Sequence, residues 1–395
     1  MLIRYATVFV DGCFHENRDL RILGGRIATL GERLAALPGE EVLDCSGDYV
    51  IPGFVDVHIH AFRGYDAMRG EADIRAMARE LRKEGVAAFL PTTMSASVEE
   101  TRGVMAAVHR IHGDQRRRFG DIPKGPEAGL PSEGSGLCPE EALIPGAHME
   151  APFLNARKAG AQRKECFLDP DWDTFLALTD GHPEEARIMT LAPEKPGSEA
   201  FIRRATEGGT VISVGHTEAT AEETHLAADW GADHITHTFN AQTPLNHRNP
   251  GVPGAALTDD RFFTEMICDG VHLHRDTVRL LWKAKGADKA VVITDAMEAA
   301  GMPDGEYALG GQPVLVRDGE ARLENGTLAG SVLLMRVALE NLIHRFDIPP
   351  ADAVRMCTQT PADSIRETGL GRIYPGAPAP VTRWNRNWRY VESLG

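Results

Sequence analysis

From Phe54 onward, short apolar runs that end in polar or small residues alternate with longer stretches of helical spacing. One such stretch, Ala72–Lys83, has apolar residues three and four positions apart and closes at Gly85, as helices commonly do. Near-continuous apolar runs separated by helices indicate a parallel sheet covered on both faces. The eight runs are Phe54–His60, Val86–Thr92, Leu143–Glu150, Arg187–Ala192, Val211–His216, His234–Thr238, Phe263–Asp269 and Ala290–Asp295.

Eight strand–helix units over about 250 residues have the size of a TIM barrel, so the pattern predicts an α/β fold of the (β/α)8 type. A doubly wound parallel sheet would show the same alternation. The polar residues that end the runs, described below, favour the barrel.

The two ends of the chain follow a different pattern, with short β-type runs and tight turns at Asp11-Gly12 and Gly24-Gly25. We expect residues 1–51 and 372–395 to form a small β-sandwich domain, and residues 52–371 to form the barrel. Residues 305–325 predict one or two hairpins, followed by helices near 332–346 and 350–368. The Gly-, Pro- and charge-rich segment Gly113–Pro139 predicts a long surface loop.

Composition narrows the class of protein. Of 395 residues, 43% are hydrophobic and 25% charged, which is typical of a globular domain, and no run of about 18 apolar residues predicts a membrane span. The formal net charge of −15 disfavours a nucleic-acid binder. The amino-terminal residues lack the basic start and apolar core of a signal peptide, and the six cysteines form no CxxC pair. We therefore expect a cytoplasmic protein with reduced thiols.

The predicted strands end in residues that can ligate a divalent metal ion. In the HxH pair His58 and His60, residues i and i+2 point to the same side of a strand. An HxH pair alone is weak evidence, and a lone aspartate after a strand can be a helix cap. Five candidate ligands and a further carboxylate at five strand ends, however, predict a catalytic site for zinc, iron or manganese. These residues are His58, His60, Glu150, His216, His237 and Asp295.

Several longer motifs occur in a specific order. They are IPGFVDVHIHAF (51–62), GAHMEAPFLNARKAGAQ (146–162), VGHTEAT (214–220), HTFNAQTPLNHRNPG (237–251), CDGVHLH (268–274), ITDAMEAAG (293–301) and GTLAGS (326–331). With them the chain resembles the N-acetylglucosamine-6-phosphate deacetylases of the amidohydrolase superfamily over nearly its whole length. Such enzymes remove the acetyl group of a phosphorylated amino sugar with a metal-activated water.

The resemblance implies a role for individual residues. Glu150, His216 and His237 match the metal ligands common to the family, and Asp295 matches the general base that then acts as acid. The pair His58 and His60 matches residues that hold a second ion in some members, so one or two ions, zinc or iron, are implied. The implied substrate contacts are Ala161, Gln162, Asn240, Ala241, Arg248, His272, Leu328, Ala329 and Gly330, in a pocket that the family completes across a homodimer interface.

The chain also departs from the family pattern. Gln162 stands where some relatives have a histidine that polarises the acetyl carbonyl, and an amide can donate a hydrogen bond but cannot titrate. Ala151, Thr238 and Gln242 alter the usual motif text, and GAPAPVTRWN lacks the usual Ala-Asp of the returning strand.

Several functions stay open on the sequence alone. The first is deacetylation of N-acetylgalactosamine 6-phosphate or of another acetamido sugar, since epimers differ by one hydroxyl group. The others are a dihydroorotase-like or deaminase-like activity, against which Asn240, Ala241 and Arg248 speak, and a non-catalytic scaffold, against which the complete ligand set speaks.

Overall fold

The computed structural model of the chain describes residues 1–122, 124, 125 and 140–395. Its strands, in chain order, are β1 (Leu2–Val10), β2 (Cys13–Leu23), β3 (Arg26–Gly31), β4 (Val42–Asp44), β5 (Tyr49–Pro52), β6 (Phe54–Ile59), β7 (Ala61–Phe62), β8 (Tyr65–Asp66), β9 (Val86–Thr93), β10 (Ala147–Met149), β11 (Ala186–Leu191), β12 (Val211–Val214), β13 (His234–Ile235), β14 (Phe263–Ile267), β15 (Ala290–Ile293), β16 (Gly305–Leu309), β17 (Gln312–Arg317), β18 (Glu320–Leu323), β19 (Val381–Trp384) and β20 (Tyr390–Leu394).

The α-helices of the described residues are α1 (Glu71–Lys83), α2 (Val98–Phe119), α3 (Trp172–Leu178), α4 (Ser198–Glu207), α5 (Ala221–Trp230), α6 (Gly251–Thr258), α7 (Arg275–Lys285), α8 (Met335–His344), α9 (Pro350–Cys357) and α10 (Gln359–Ser364). Short 3-10 turns lie at Ala67–Arg69, Ala156–Lys158, Lys164–Cys166 and Pro183–Glu185. None of these helices combines the length and the apolar content that crossing a bilayer requires.

Eight strands form one parallel sheet, in which β6, β9, β10, β11, β12, β13, β14 and β15 pair in chain order. The first and last of them also meet, because a parallel bridge joins Ile59 to Ala296 and the Asp295 N–H donates to the His58 carbonyl at 2.9 Å. Every residue of β6, β9, β12 and β15 is buried, as expected for strands covered on both faces. The predicted (β/α)8 barrel is confirmed, and all eight strands end at one face of it.

Helix α1 illustrates how the sequence pattern produces the outer layer. Ile74, Met77 and Leu81 form one apolar stripe and are at most 4% exposed, so this face packs on the barrel. Acidic residues occupy its first turn and basic residues its last, which suits the helix dipole. The chain then turns at Gly85 (φ 85°), where an added Cβ would lie 2.3 Å from the Thr382 side chain.

Strands from both chain ends form a second, seven-stranded sheet with the order β20-β19-β5-β1-β2-β3 and with β4 beside β1. Residues 376–379 pair with β3, and the chain continues directly into β19, which pairs with β5. The sheet therefore curls around its own apolar core, which includes Ile3, Leu20 and Val381. The predicted return of the carboxyl-terminal segment to the amino-terminal strands is confirmed.

The prediction of a loop from Gly113 was wrong for its first seven residues, because α2 continues to Phe119. Ile111, Gln115 and Phe119 follow one another at helical spacing and are buried, and the Gln115 amide bonds to Ala142 and Ile144. These contacts outweigh the loop-like composition of the segment. Residues 123 and 126–139 of the predicted loop lie outside the described residues.

The predictions for the chain after the barrel are confirmed. Strands β16, β17 and β18 form the expected hairpins as one antiparallel sheet. Helix α8 lies within the first predicted helix, and the second is divided at Thr358 into α9 and α10.

Candidate metal centre and substrate pocket

The six predicted ligand residues all lie at the carboxyl ends of barrel strands. His58 is in β6 and Glu150 directly follows β10, whereas the others come one or two residues after a strand. Three of them have a positive φ, at 46° for His216, 27° for His237 and 49° for Asp295. Such backbone conformations are uncommon outside glycine and often mark functional sites. Here they turn the chain at the end of the strand and direct the side chains into the mouth of the barrel.

Glu150 lies at the centre of this group. Its Oε1 is 3.0 Å from the Nε2 atoms of both His216 and His237, which are themselves 3.1 Å apart. Its Oε2 is 3.3 Å from His60 Nε2. These residues are at most 4% exposed. Glu150, His216 and His237 thus form a compact set whose ligand atoms lie within 4.8 Å of one another.

A second set adjoins the first. The Asp295 Oδ1 atom is 3.1 Å from His60 Nε2 and 3.6 Å from His58 Nε2. The His58 Nε2 atom is also 3.5 Å from Glu150. His58, His60 and Asp295 therefore have the spacing of a second metal position next to the first.

The hydrogen bonds on the far side of the imidazole rings determine what these sets can bind. His216 Nδ1 lies 2.7 Å from the Lys158 carbonyl and His60 Nδ1 lies 3.2 Å from the Thr92 carbonyl. A carbonyl only accepts, so both Nδ1 atoms carry a proton, and in the neutral form that ligates an ion both Nε2 atoms present lone pairs. Lone pairs and carboxylates that face each other in a buried site require a cation between them, and this donor set fits zinc or iron.

In the ion-free chain, protons on the imidazole rings supply the positive charge that the carboxylates require, as the pKa values show. Burial disfavours charge on His60, but hydrogen bonds to Asp295 and Glu150 outweigh it and raise its pKa to about 9. Burial also opposes ionisation of Glu150, yet the charge on His58 and hydrogen bonds from His216 and His237 lower its pKa well below the ordinary value. The site therefore holds carboxylates that are ionised at neutral pH.

Gln162 adjoins the first set from the segment 146–162. Its amide nitrogen donates to Glu150 Oε2 at 2.5 Å, and its oxygen accepts from the Ser95 N–H at 2.6 Å. In this position the amide orients the carboxylate of a candidate ligand. The second hydrogen of the same amide nitrogen faces Met94 Sδ at 3.4 Å, a weak acceptor, so polarising a substrate carbonyl, the role that the sequence suggested, would use this second N–H.

A cavity of about 510 Å³ opens above these two sets. Predicted substrate contacts that line it are Ala161, Gln162, Asn240, Ala241, His272, Leu328 and Gly330. Ala329 is fully buried, and His58 lies beneath the cavity at 0% exposure. Arg248 is exposed and is not among the described residues that line the cavity.

The cavity is also lined by three cationic side chains that were not predicted from the sequence: Arg157, Lys158 and Arg322. The Lys158 Nζ atom donates to the Gln242 carbonyl at 3.0 Å, and Arg322 bonds to Glu320 and to the Gly326 carbonyl. Arg157 and Lys158 follow Glu150 by seven and eight residues. This proximity to a predicted ligand in the sequence could have indicated that they lie at the cavity. Arg322 is on the edge of a hairpin and had no such signal.

His272 lies at the cavity with its ring held by a carboxylate. Its Nδ1 lies 2.6 Å from Asp269 Oδ2. Burial alone would lower its pKa, but the hydrogen bond and the charge of Asp269 outweigh burial and raise it, while the charge of Arg322 acts in the opposite direction. A ring that is protonated more readily, next to an arginine, suits an anionic substrate group.

No protein-family model matches the chain. An N-acetylglucosamine-6-phosphate deacetylase from Lysinibacillus sphaericus is 33% identical to it over 380 residues, which cover 96% of this chain and 92% of that relative. An N-acetylgalactosamine-6-phosphate deacetylase from Escherichia coli O157:H7 is 33% identical over 385 residues, which cover 96% of this chain and 94% of that relative.

A solved structure shares the whole fold. A mutant N-acetyl-D-glucosamine-6-phosphate deacetylase from Mycobacterium smegmatis, in complex with N-acetyl-D-glucosamine-6-phosphate, superposes with a TM-score of 0.85 at 28% identity, covering 100% of this chain and 97% of that chain. Together with the motifs and the barrel, these similarities identify the family. The chain belongs to the N-acetylglucosamine-6-phosphate deacetylase family, in the amidohydrolase fold.

Proposed function

We propose that the chain hydrolyses the acetamide bond of N-acetylglucosamine 6-phosphate and releases acetate and glucosamine 6-phosphate. The observation that carries this proposal is the meeting of Glu150, His216 and His237 beside Asp295, at the floor of a cavity with cationic residues around it. Family membership supports the same reaction.

Glu150, His216 and His237 would hold one divalent ion, and His58, His60 and Asp295 would hold a second. Zinc and iron both suit these ligands. When bound, such an ion lowers the pKa of a coordinated water and polarises the acetyl carbonyl.

Asp295 is the residue we assign to both proton transfers. Burial opposes its ionisation, but the charge of His58 and the hydrogen bond from His60 lower its pKa, so it is a carboxylate at neutral pH. It accepts a proton from the attacking water and passes that proton to the amide nitrogen as the C–N bond breaks. The nitrogen, which already carries one hydrogen, therefore leaves as the neutral amine, and the second proton of the water stays on the acetic acid until that acid ionises in solution.

Recognition of the phosphate is assigned to the cationic residues of the cavity. Arg157, Lys158, Arg322 and His272 can offer charge-assisted hydrogen bonds within one chain. Arg248 is exposed and is not among the described residues that line the cavity, so its predicted contact with the phosphate would be made at the cavity of a second copy of the chain. We therefore propose a homodimer in which Arg248 of one copy reaches the cavity of the other.

The galacto epimer is a second candidate substrate. The relative named an N-acetylgalactosamine-6-phosphate deacetylase is as similar to this chain as the relative named an N-acetylglucosamine-6-phosphate deacetylase, at 33% identity over nearly the whole length. Overall similarity therefore does not decide between the two sugars.

The test is acetate release by the metal-loaded protein from three sugars: N-acetylglucosamine 6-phosphate, its galacto epimer and unphosphorylated N-acetylglucosamine. We expect the highest kcat/KM for the phosphorylated gluco sugar and a large loss without the phosphate. Preference for the epimer would keep the reaction and change the substrate. Absence of acetate from all three sugars would contradict the proposed function.

A further inference from the structure

Beneath the floor of the cavity, Glu265 of β14 is buried among histidines at 0% exposure. Its Oε2 lies 3.0 Å from His58 Nδ1 and accepts a hydrogen bond from the backbone N–H of His237 at 2.9 Å. Its Oε1 lies 3.2 Å from His234 Nε2. We propose that Glu265 is a positioning residue that links the two metal positions, because one carboxylate oxygen contacts a ligand residue of each.

The contact with His58 fixes the orientation of that ring. With Nδ1–H donated to Glu265, the neutral ring presents its Nε2 lone pair to the centre. That Nε2 atom is buried and makes no hydrogen bond within the described part of the chain. It lies 3.5 Å from Glu150 and 3.6 Å from Asp295, where an ion would bridge them. Loss of Glu265 would let the ring change its tautomer or turn away.

The contact with His237 acts on the backbone. His237 has the lowest positive φ of the three strand-end ligands, 27°, a conformation that the surroundings must hold in place. The Glu265 side chain accepts from the N–H of His237, and the Glu265 carbonyl accepts from the N–H of Thr238 at 3.0 Å. Glu265 thus binds two consecutive N–H groups of the turn that carries this ligand.

The surroundings argue against Glu265 being a ligand of a further ion. His58, His148 and Glu265 lie close enough together that their side chains could in principle hold a metal ion. Both nitrogens of His148 are already engaged, however, with the Val57 carbonyl at 3.1 Å and with Thr190 Oγ1 at 2.7 Å. The His58 nitrogen nearest Glu265 carries the proton of their hydrogen bond. This layer supports the metal centre and does not form another.

The inference rests on the proposed function, because that proposal supplies the metal centre. Its test measures metal binding separately from turnover. Ion-free wild type, Glu265→Ala and Glu265→Gln proteins are titrated with Co²⁺, and ions bound per chain, affinity and visible absorption are recorded. Glu265→Ala should weaken cobalt binding by about 10- to 100-fold and change the absorption spectrum. Glu265→Gln, whose amide oxygen can still accept from His58 and His237, should bind cobalt with intermediate affinity.

Glu185 provides a matched control, because it is also a buried carboxylate that contacts two imidazole Nδ1 atoms, those of His109 and His112, but is outside the cavity. Glu185→Ala should leave cobalt affinity and spectrum unchanged. If Glu265→Ala does not fold, the cobalt affinity of Glu265→Gln is the measurement that decides, and we expect it to be lower than that of the wild type. If the folded Glu265 variants bind cobalt with wild-type affinity and spectrum, the role of Glu265 is contradicted and the proposed function is not affected. A wild-type protein that binds no ion would overturn the proposed function as well.

Discussion

The floor and the rim of the cavity are built in different ways. On the floor, the six candidate ligands are at most 8% exposed, and most have hydrogen-bond partners that fix their orientation. Around the rim, the Arg157 side chain is 81% exposed and the Arg322 side chain 43%. The rim therefore relies on long charged side chains whose positions depend on solvent and substrate.

Because the two regions differ in burial, we expect them to control different kinetic constants. Buried, preorganised groups act on the bond that breaks, so changes there should lower kcat. Exposed cations bind a phosphate that takes no part in the reaction, so changes there should raise KM. Four variants test this division between kcat and KM.

Asp295→Asn changes the floor at the proposed base. The amide cannot accept a proton, so we expect kcat to fall by about 100- to 10,000-fold while the ion at Glu150, His216 and His237 is retained. Steady-state acetate release and metal content measured on one preparation check this. Near wild-type turnover in the variant would remove Asp295 from the proton transfers.

His58→Ala tests the second position of the floor. We expect the loss of one of two bound ions and a fall in kcat of roughly tenfold or more. His225→Ala, which removes a half-exposed histidine paired with Asp259, is the control and should change neither quantity. Unchanged ion content and rate in His58→Ala would make the centre a single-ion site.

Arg322→Ala changes the rim. Loss of one charge-assisted hydrogen bond should raise KM for the phosphorylated sugar about tenfold, roughly 1.4 kcal/mol, with little change in kcat. Arg317→Ala, an exposed arginine of the neighbouring strand β17, serves as the matched control. A KM that is the same in both variants would place the phosphate away from Arg322.

Arg248→Ala tests whether the rim is completed by another copy. We expect KM to rise about threefold, because one exposed cation among several is lost. The Arg248→Ala variant is then mixed with the inactive Glu150→Ala variant. In a mixed dimer, one site has both Glu150 from one copy and Arg248 from the other, so part of the measured activity should show the wild-type KM. An unchanged KM, or a monomer by sedimentation, would contradict the proposed contribution in trans.

The floor was also the part of the site that the sequence revealed. His58, His60 and the four residues on other strands could be identified because each ends an apolar run, and parallel strands bring their ends together. Glu265 was missed, although a carboxylate within the apolar run Phe263–Asp269 signals a buried partner.

The rim could not be read in the same way. Arg322 lies on a hairpin strand. The position of this strand relative to the cavity depends on tertiary packing, and the spacing of residues along the sequence does not indicate it. Residues 113–119 have the composition of a loop, but Ile111, Gln115 and Phe119 have helical spacing, and their packing decides the structure. The domain limits at residues 51 and 372 stay a prediction, as do the roles of the individual site residues.

The most direct test of the metal-dependent floor is a titration. Ion-free protein receives zinc or Fe²⁺ in steps, and acetate release from N-acetylglucosamine 6-phosphate is measured together with the ions bound per chain. We expect negligible turnover without the ion and activity that rises in proportion to metal bound at Glu150, His216 and His237. Full turnover by the ion-free protein, or bound ions without any turnover, would contradict the account.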